Sequence, residues 1–120
     1  MEITKRDIDS ITVISLVGSL DSRSAPTVQE SILPSLPEDG RVLLDLSGVT
    51  FVSSAGLRTM LLIYRQAQCV DTTVALVGLS DQLREVLSAT GFLGFFVVSD
   101  SLHGGLSGLR VPEPEQSGAA

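Results

Sequence analysis

With 120 residues, the chain has room for one compact domain with a single core and not for two. Its formal charge is −6 and it holds no Lys/Arg-rich run, which argues against double-stranded DNA or an anionic membrane as a direct partner and fits a protein partner with a basic face. At 43% hydrophobic and only 4% aromatic residues, the core is Leu, Val, Ile and Ala, and no aromatic platforms for stacking bases are present.

Ile3 to Ile8 and Ile11 to Val17 read as two strands joined by the polar pair Asp9-Ser10, short enough for a tight hairpin. Gly18 to Ser24 is a polar loop. A short helix follows, with Ser24 as its cap, Pro26 in its first turn and Pro34 at its end. Leu36 to Gly40 is a turn-rich connector. Val42 to Leu46 is an almost continuous apolar run, the pattern of a strand covered on both faces, and it ends in the turn-forming Ser47-Gly48. A helix is predicted from about Ser54 to Gln68, with Leu57, Met60, Leu61 and Tyr64 at helical spacing on its apolar face and Arg58, Thr59, Arg65 and Gln66 among the remaining positions.

Thr73 to Val77 is a β-branched strand ending at Gly78. Ser80 then caps a third helix that has Asp81 in its first turn and Gly91 just past its end. Phe95 to Val98 is the last strand. Asp100 to Leu109 forms a weak helix, interrupted by Gly104, Gly105 and Gly108. Val111 to Ala120, with its prolines, glutamates and small residues, reads as a disordered tail beyond a domain of residues 1–110. The order β-β-α-β-α-β-α-β-(α) defines an α/β fold, a mixed sheet packed with helices.

The N-terminus, Met1 to Asp7, lacks the apolar centre of a signal peptide, and runs such as Met60 to Tyr64 are far shorter than a bilayer span. The cytoplasm is the expected compartment, without membrane insertion. A lone cysteine, Cys69, excludes an internal disulfide and a multi-cysteine zinc site, and it reads as an ordinary reduced thiol.

Chemistry concentrates at Ser53-Ser54-Ala55-Gly56-Leu57, where strand gives way to helix. A hydroxyl there sits beside unpaired backbone N–H groups and the positive end of a helix dipole. It can cap the helix, act as a nucleophile or carry a phosphate. The nucleophile reading fits poorly. A nucleophile elbow needs a small glycine where Val52 stands, and the only histidine, His103, lies beside two glycines in a weak segment. No catalytic residue is therefore assigned. Neither a Walker-type phosphate loop nor a ligand-like cluster of His, Cys and carboxylates is present, so no cofactor or metal is expected.

Three short motifs, in order, resemble one family. Gly18-Ser19-Leu20-Asp21 looks like a Gly-x-Leu-Asp after the second strand. Leu44-Asp45-Leu46-Ser47 looks like a Leu-Asp-Leu-Ser strand, and Ser53 to Leu57 falls where Asp-Ser-Ser/Thr-Gly-Leu is usual. From about Ile3 to Leu109 the chain resembles the STAS domains, in particular the bacterial anti-anti-sigma factors (anti-sigma factor antagonists).

The resemblance implies the STAS fold and a binding protein rather than an enzyme. Its expected partner is an anti-sigma factor that is also a serine kinase. The unmodified antagonist binds this partner and frees a sigma factor, phosphorylation breaks the complex, and a serine phosphatase restores it. By position, Ser54 is the implied phosphoacceptor, and Asp21, Ser53, Ser54, Gly56, Leu57 and Arg58 form the implied partner-binding set. Ser53 and Ala55 depart from the family's Asp and Ser/Thr. The alternative is a STAS scaffold or regulatory subunit that is not phosphorylated, in a lipid-transport or stress-signalling assembly. The sequence is also compatible with a capping role for the serines and a turn-forming role for Asp21.

Overall fold

The structure is a computed structural model and describes residues 1–109. The expected tail, Val111 to Ala120, and the end of the expected domain at residue 110 lie outside the described residues. Five strands form one sheet: β1 (Glu2–Ile8), β2 (Ile11–Leu20), β3 (Arg41–Val52), β4 (Thr73–Val77) and β5 (Val97–Ser99), in spatial order β1-β2-β3-β4-β5. β1 and β2 are antiparallel and the remaining neighbours are parallel. The helices are α1 (Ala25–Ile32), α2 (Ser54–Cys69), α3 (Asp81–Thr90) and α4 (Leu102–Leu109), with 3₁₀ turns at Leu33–Ser35 and Leu93–Phe95.

The hairpin is closed by Asp9 and Ser10, both at positive φ (51° and 66°), the backbone of a two-residue turn whose twist matches the strands it joins. Two apolar clusters cover the sheet. Ile14, Leu16, Leu44, Leu46 and Leu76 meet Val28, Ile32, Met60, Ile63, Leu83 and Leu87 of α1, α2 and α3 on one face. On the other, Ile11, Val13, Leu43, Ala75 and Val77 pack under Leu106 and Leu109 of α4. The glycines that weaken α4 also let it dock. A Cβ on Gly105 would lie 2.5 Å from Val77 and 2.7 Å from Leu43.

α3 begins and ends as its sequence predicts. Ser80 Oγ accepts from Leu83 N–H at 3.1 Å. Gly91, at φ 81°, closes the helix with N–H bonds from Gly91 to Ser88 O and from Phe92 to Leu87 O, a Schellman motif.

Five expectations are corrected. β2 runs to Leu20, paired with β3, instead of giving way to a loop at Gly18. β3 runs to Val52 instead of stopping at Leu46, because Ser47-Gly48 is a bulge and not a turn. Between Asp45 and Gly48 it takes one residue more than β2 takes between Ser15 and Val17, and it does so again between Val49 and Phe51. Position 48 is tight for a side chain, since a Cβ would meet Val17 Cγ2 at 2.8 Å and Leu16 O at 3.1 Å. The buried face of α2 is Gly56, Thr59, Met60, Ile63 and Ala67, turned by about one residue from the predicted stripe. Leu57 and Tyr64 lie half-buried on its shoulder.

The last strand starts at Val97, since Phe95 ends a 3₁₀ turn with its ring stacked on Tyr64 (centroids 4.8 Å apart, planes at 14°). Ser24 does not cap α1 with its side chain. Its hydroxyl donates to Ser19 O at 2.7 Å, and the Asp21 carboxylate accepts from the N–H groups of Arg23 (3.0 Å) and Ser24 (3.2 Å) instead.

Candidate functional site

β2 and β3 end side by side, with Leu20 paired to Val52, so the chain after each strand emerges on the same edge of the domain. One loop carries Asp21 into α1 and the other carries Ser53 and Ser54 into α2. The two loops are tied together. Ser53 N–H donates to Leu20 O at 3.0 Å. Gly56 packs so closely against Leu20 that a Cβ would lie 2.3 Å from the Leu20 carbonyl oxygen and 2.9 Å from Val52 Cγ1.

The two serines divide their work. Ser53 has extended backbone (φ −88°, ψ 177°), and its hydroxyl accepts from Gly56 N–H at 3.3 Å, satisfying one of the orphan donors of the first turn. Ser54 is the first helical residue. It is exposed, and its hydroxyl has no hydrogen-bond partner among the described residues. Capping is thus the task of Ser53 alone, and the Ser54 oxygen is left for solvent or a reagent.

The rest of the implied binding set separates by burial. Arg58, one turn beyond Ser54, is exposed, and Leu57 is half-buried against the inner cluster. Gly56 is buried and faces Leu20 and Val52, so its part is to let α2 approach β2 and not to touch a partner. Asp21 is half-buried, with one carboxylate oxygen engaged by its own loop, which realises the turn-forming role. Asp45 likewise turns inward on its bulge, accepting from Ser47 N–H at 3.0 Å and from Ser47 Oγ at 2.7 Å.

Sequence reasoning missed a buried relay behind the site. Thr59, fully buried, donates to Ala55 O at 3.1 Å and accepts from Gln29 Nε2 at 3.0 Å, linking α1 to the first turn of α2. A threonine and a glutamine thirty residues apart carry no local signal of such a pair. Phe51, 52% exposed, was also missed. It lines a shallow groove between the end of β3 and Ser80, Leu83 and Val86 of α3.

His103 is exposed on α4, across the sheet from α2, and no base is hydrogen-bonded to Ser54 among the described residues. No group of three or more His, Cys, Asp or Glu side chains among those residues is placed to hold a metal ion.

Fold and site together define a small α/β domain of mixed sheet that presents a helix N-terminus with a free serine hydroxyl. The sequence model of the STAS domain matches residues 2–105, and the chain belongs to that family. It is 30% identical over 115 residues to BtrV of Bordetella bronchiseptica, an inferred anti-sigma factor antagonist, covering 95% of this chain and 99% of that protein. It is 32% identical over 92 residues to the anti-sigma-B factor antagonist of Listeria monocytogenes, covering 76% of this chain and 80% of that one. Its backbone also matches the phosphorylated form of the Bacillus cell fate determinant SpoIIAA, with a TM-score of 0.71 at 17% identity over 91% of this chain and all of that one. That likeness establishes the shared fold.

Proposed function

We propose that the chain is an anti-sigma factor antagonist that binds an anti-sigma factor of the serine-kinase type around Ser54 and so frees a sigma factor. In this reading the partner phosphorylates Ser54, the complex breaks, and a serine phosphatase resets it. The chain acts by binding and not as an enzyme. The observation that carries the reading is the exposed, unbonded hydroxyl of Ser54 beside a helix already capped by Ser53. The relatives named as antagonists of anti-sigma factors support the same partner class. Among the described residues no helix is long and apolar enough to cross a membrane, and the reading puts the chain with its partner in the cytoplasm.

The physics of such a switch is sound. A phosphate on Ser54 adds about −1.5 to −2 charges and three acceptor oxygens. The free N–H groups of the first turn and the helix dipole face it, so the domain tolerates the modification. An interface that desolvates Ser54 does not, since burying an unpaired dianion costs several kcal/mol. About 1.4 kcal/mol already weakens binding tenfold.

The test mixes the protein with its anti-sigma kinase and ATP and looks for phosphate on Ser54 by mass spectrometry. A pull-down accompanies it, in which Ser54→Ala keeps binding and Ser54→Asp loses it. An unmodified Ser54, or equal binding by both variants, sinks the phosphoswitch in favour of a scaffold that uses another face.

A further inference from the structure

The chain is acidic overall, and α2 reverses that sign. It carries Arg58 and Arg65 and no Asp or Glu, a local charge of +2 in a chain of −6. α1 carries Glu30, and α3 carries Asp81, Arg84 and Glu85, its arginine already tied to Asp100 at 3.0 Å. Arg58 and Arg65 make no ion pair among the described residues, and both are exposed.

At about 100° per residue, Ser54, Arg58, Leu61 and Arg65 fall on one line along the helix. That line lies opposite the buried face formed by Gly56, Thr59, Met60, Ile63 and Ala67. Leu61 is half-buried between the two arginines, and beside the far end Tyr64 stacks on Phe95, which is 46% exposed. Two free cations flanking Leu61 therefore lead from Ser54 toward the apolar Tyr64–Phe95 pair.

We infer that this crest docks an acidic surface of the protein partner, Asp or Glu side chains flanking an apolar patch, and that phosphate on Ser54 releases the partner by cancelling the crest's charge. The inference rests on the reading of Ser54 as the phosphoacceptor. A phosphate of about −1.5 to −2 brings a helix of net +2 close to zero. Its nearest cation is Arg58, one turn away and in reach of a charge-assisted hydrogen bond that withdraws this arginine from the partner. The net charge of the whole chain fits a basic partner, but a docking surface feels mainly the charges within a Debye length, about 8–10 Å, and α2 itself contributes +2 there.

The decisive variant is Arg58→Gln/Arg65→Gln, which removes the charge without a phosphate. It is titrated against the serine-kinase anti-sigma factor that binds the unmodified chain, at low and moderate salt. Binding is expected to fall about tenfold with a shallower salt dependence, and Ser54→Asp is expected to add far less in this background than in the wild type. Both arginines are exposed, so thermal melts of the variant should match the wild type. Amide chemical-shift changes on complex formation should extend along Arg58 to Gln68 and reach Phe95.

Unchanged binding by the arginine variant, with Ser54→Asp still abolishing it, overturns the crest and leaves the phosphoswitch standing. Weakened binding by the arginine variant with no effect of Ser54→Asp keeps the docking face and overturns both the charge cancellation and the phosphoswitch. Shift changes confined to Ser53 to Leu57 also overturn the crest.

Discussion

Gly56→Ala tests whether α2 is held in place by contact with β2, because two opposing effects set the sign of the change. In a helix, alanine is favoured over glycine by about 1 kcal/mol. Against this, the new methyl would lie 2.3 Å from the Leu20 carbonyl oxygen, 2.9 Å from Leu20 Cγ and 2.9 Å from Val52 Cγ1. Normal contact requires the first of these to open by about 1 Å. The obstacle is a backbone oxygen that also accepts from Ser53 N–H, so no rotamer change relieves it. Overpacking of this kind costs about 1–3 kcal/mol. With a backbone oxygen as the obstacle the cost falls in the upper half of that range, about 2–3 kcal/mol, so the steric term wins and the net loss is about 1–2 kcal/mol.

Urea unfolding should therefore show a lower midpoint with unchanged slope, and the melting temperature should fall by about 4 °C per kcal/mol. Amide exchange at Ser53 should also accelerate as its bond to Leu20 O stretches. A midpoint at or above that of the wild type would refute the reasoning, since it would mean that α2 slides outward freely and only helix propensity is felt.

Ser53→Ala removes the side-chain cap and should cost about 1 kcal/mol in urea unfolding, whereas Ser53→Asp, an equally good cap, should leave stability within a few tenths of the wild type. Equal stability of the Ala variant would show that the 3.3 Å bond to Gly56 N–H contributes nothing. Thr59→Val keeps the shape of the fully buried side chain but leaves Gln29 Nε2 without its acceptor, at a cost of about 1–2 kcal/mol. Adding Gln29→Leu should recover part of that loss. A double variant whose loss equals the sum of the singles would mean that the two side chains do not depend on each other.

Much of this architecture is legible in the chain because its signals are local. The hairpin rests on a two-residue polar break, and α3 on a serine cap and a glycine stop, each set by a few adjacent dihedrals. The misreadings share one cause: they depend on a neighbour that is distant in sequence. Ser47-Gly48 has the composition of a turn, and only the register of β2 makes it a bulge within a continuing strand. Hydropathy ranks Leu57 and Leu61 above Gly56 and Thr59. The buried face is nevertheless chosen by how closely glycine can approach Leu20 and by a glutamine on α1 that satisfies the threonine. The serine pair was visible, but its division was not, since which of two adjacent serines caps depends on where the backbone turns helical.

That division gives a physical meaning to the departure at position 53. The family's usual Asp and the Ser53 of this chain can perform the same capping task, so the backbone that presents Ser54 does not require a carboxylate. What changes is charge. An Asp at this position would place a negative group next to Ser54, the proposed phosphoacceptor, and would lower the charge at the start of the Ser54–Arg65 line by one unit. With a neutral Ser53, that line keeps the full +2 of Arg58 and Arg65 while Ser54 is unmodified. A phosphate arriving there meets the helix dipole and Arg58 without a neighbouring carboxylate at position 53. The substitution therefore raises the charge of both states of this helix by one unit, while the difference between them remains that of the phosphate. Ser53→Asp should accordingly weaken the unmodified complex by a few-fold at low salt and have little effect at high salt. Stronger binding by Ser53→Asp, measured with the same anti-sigma factor, would show that the carboxylate is a partner contact and that charge at the head of α2 does not govern docking.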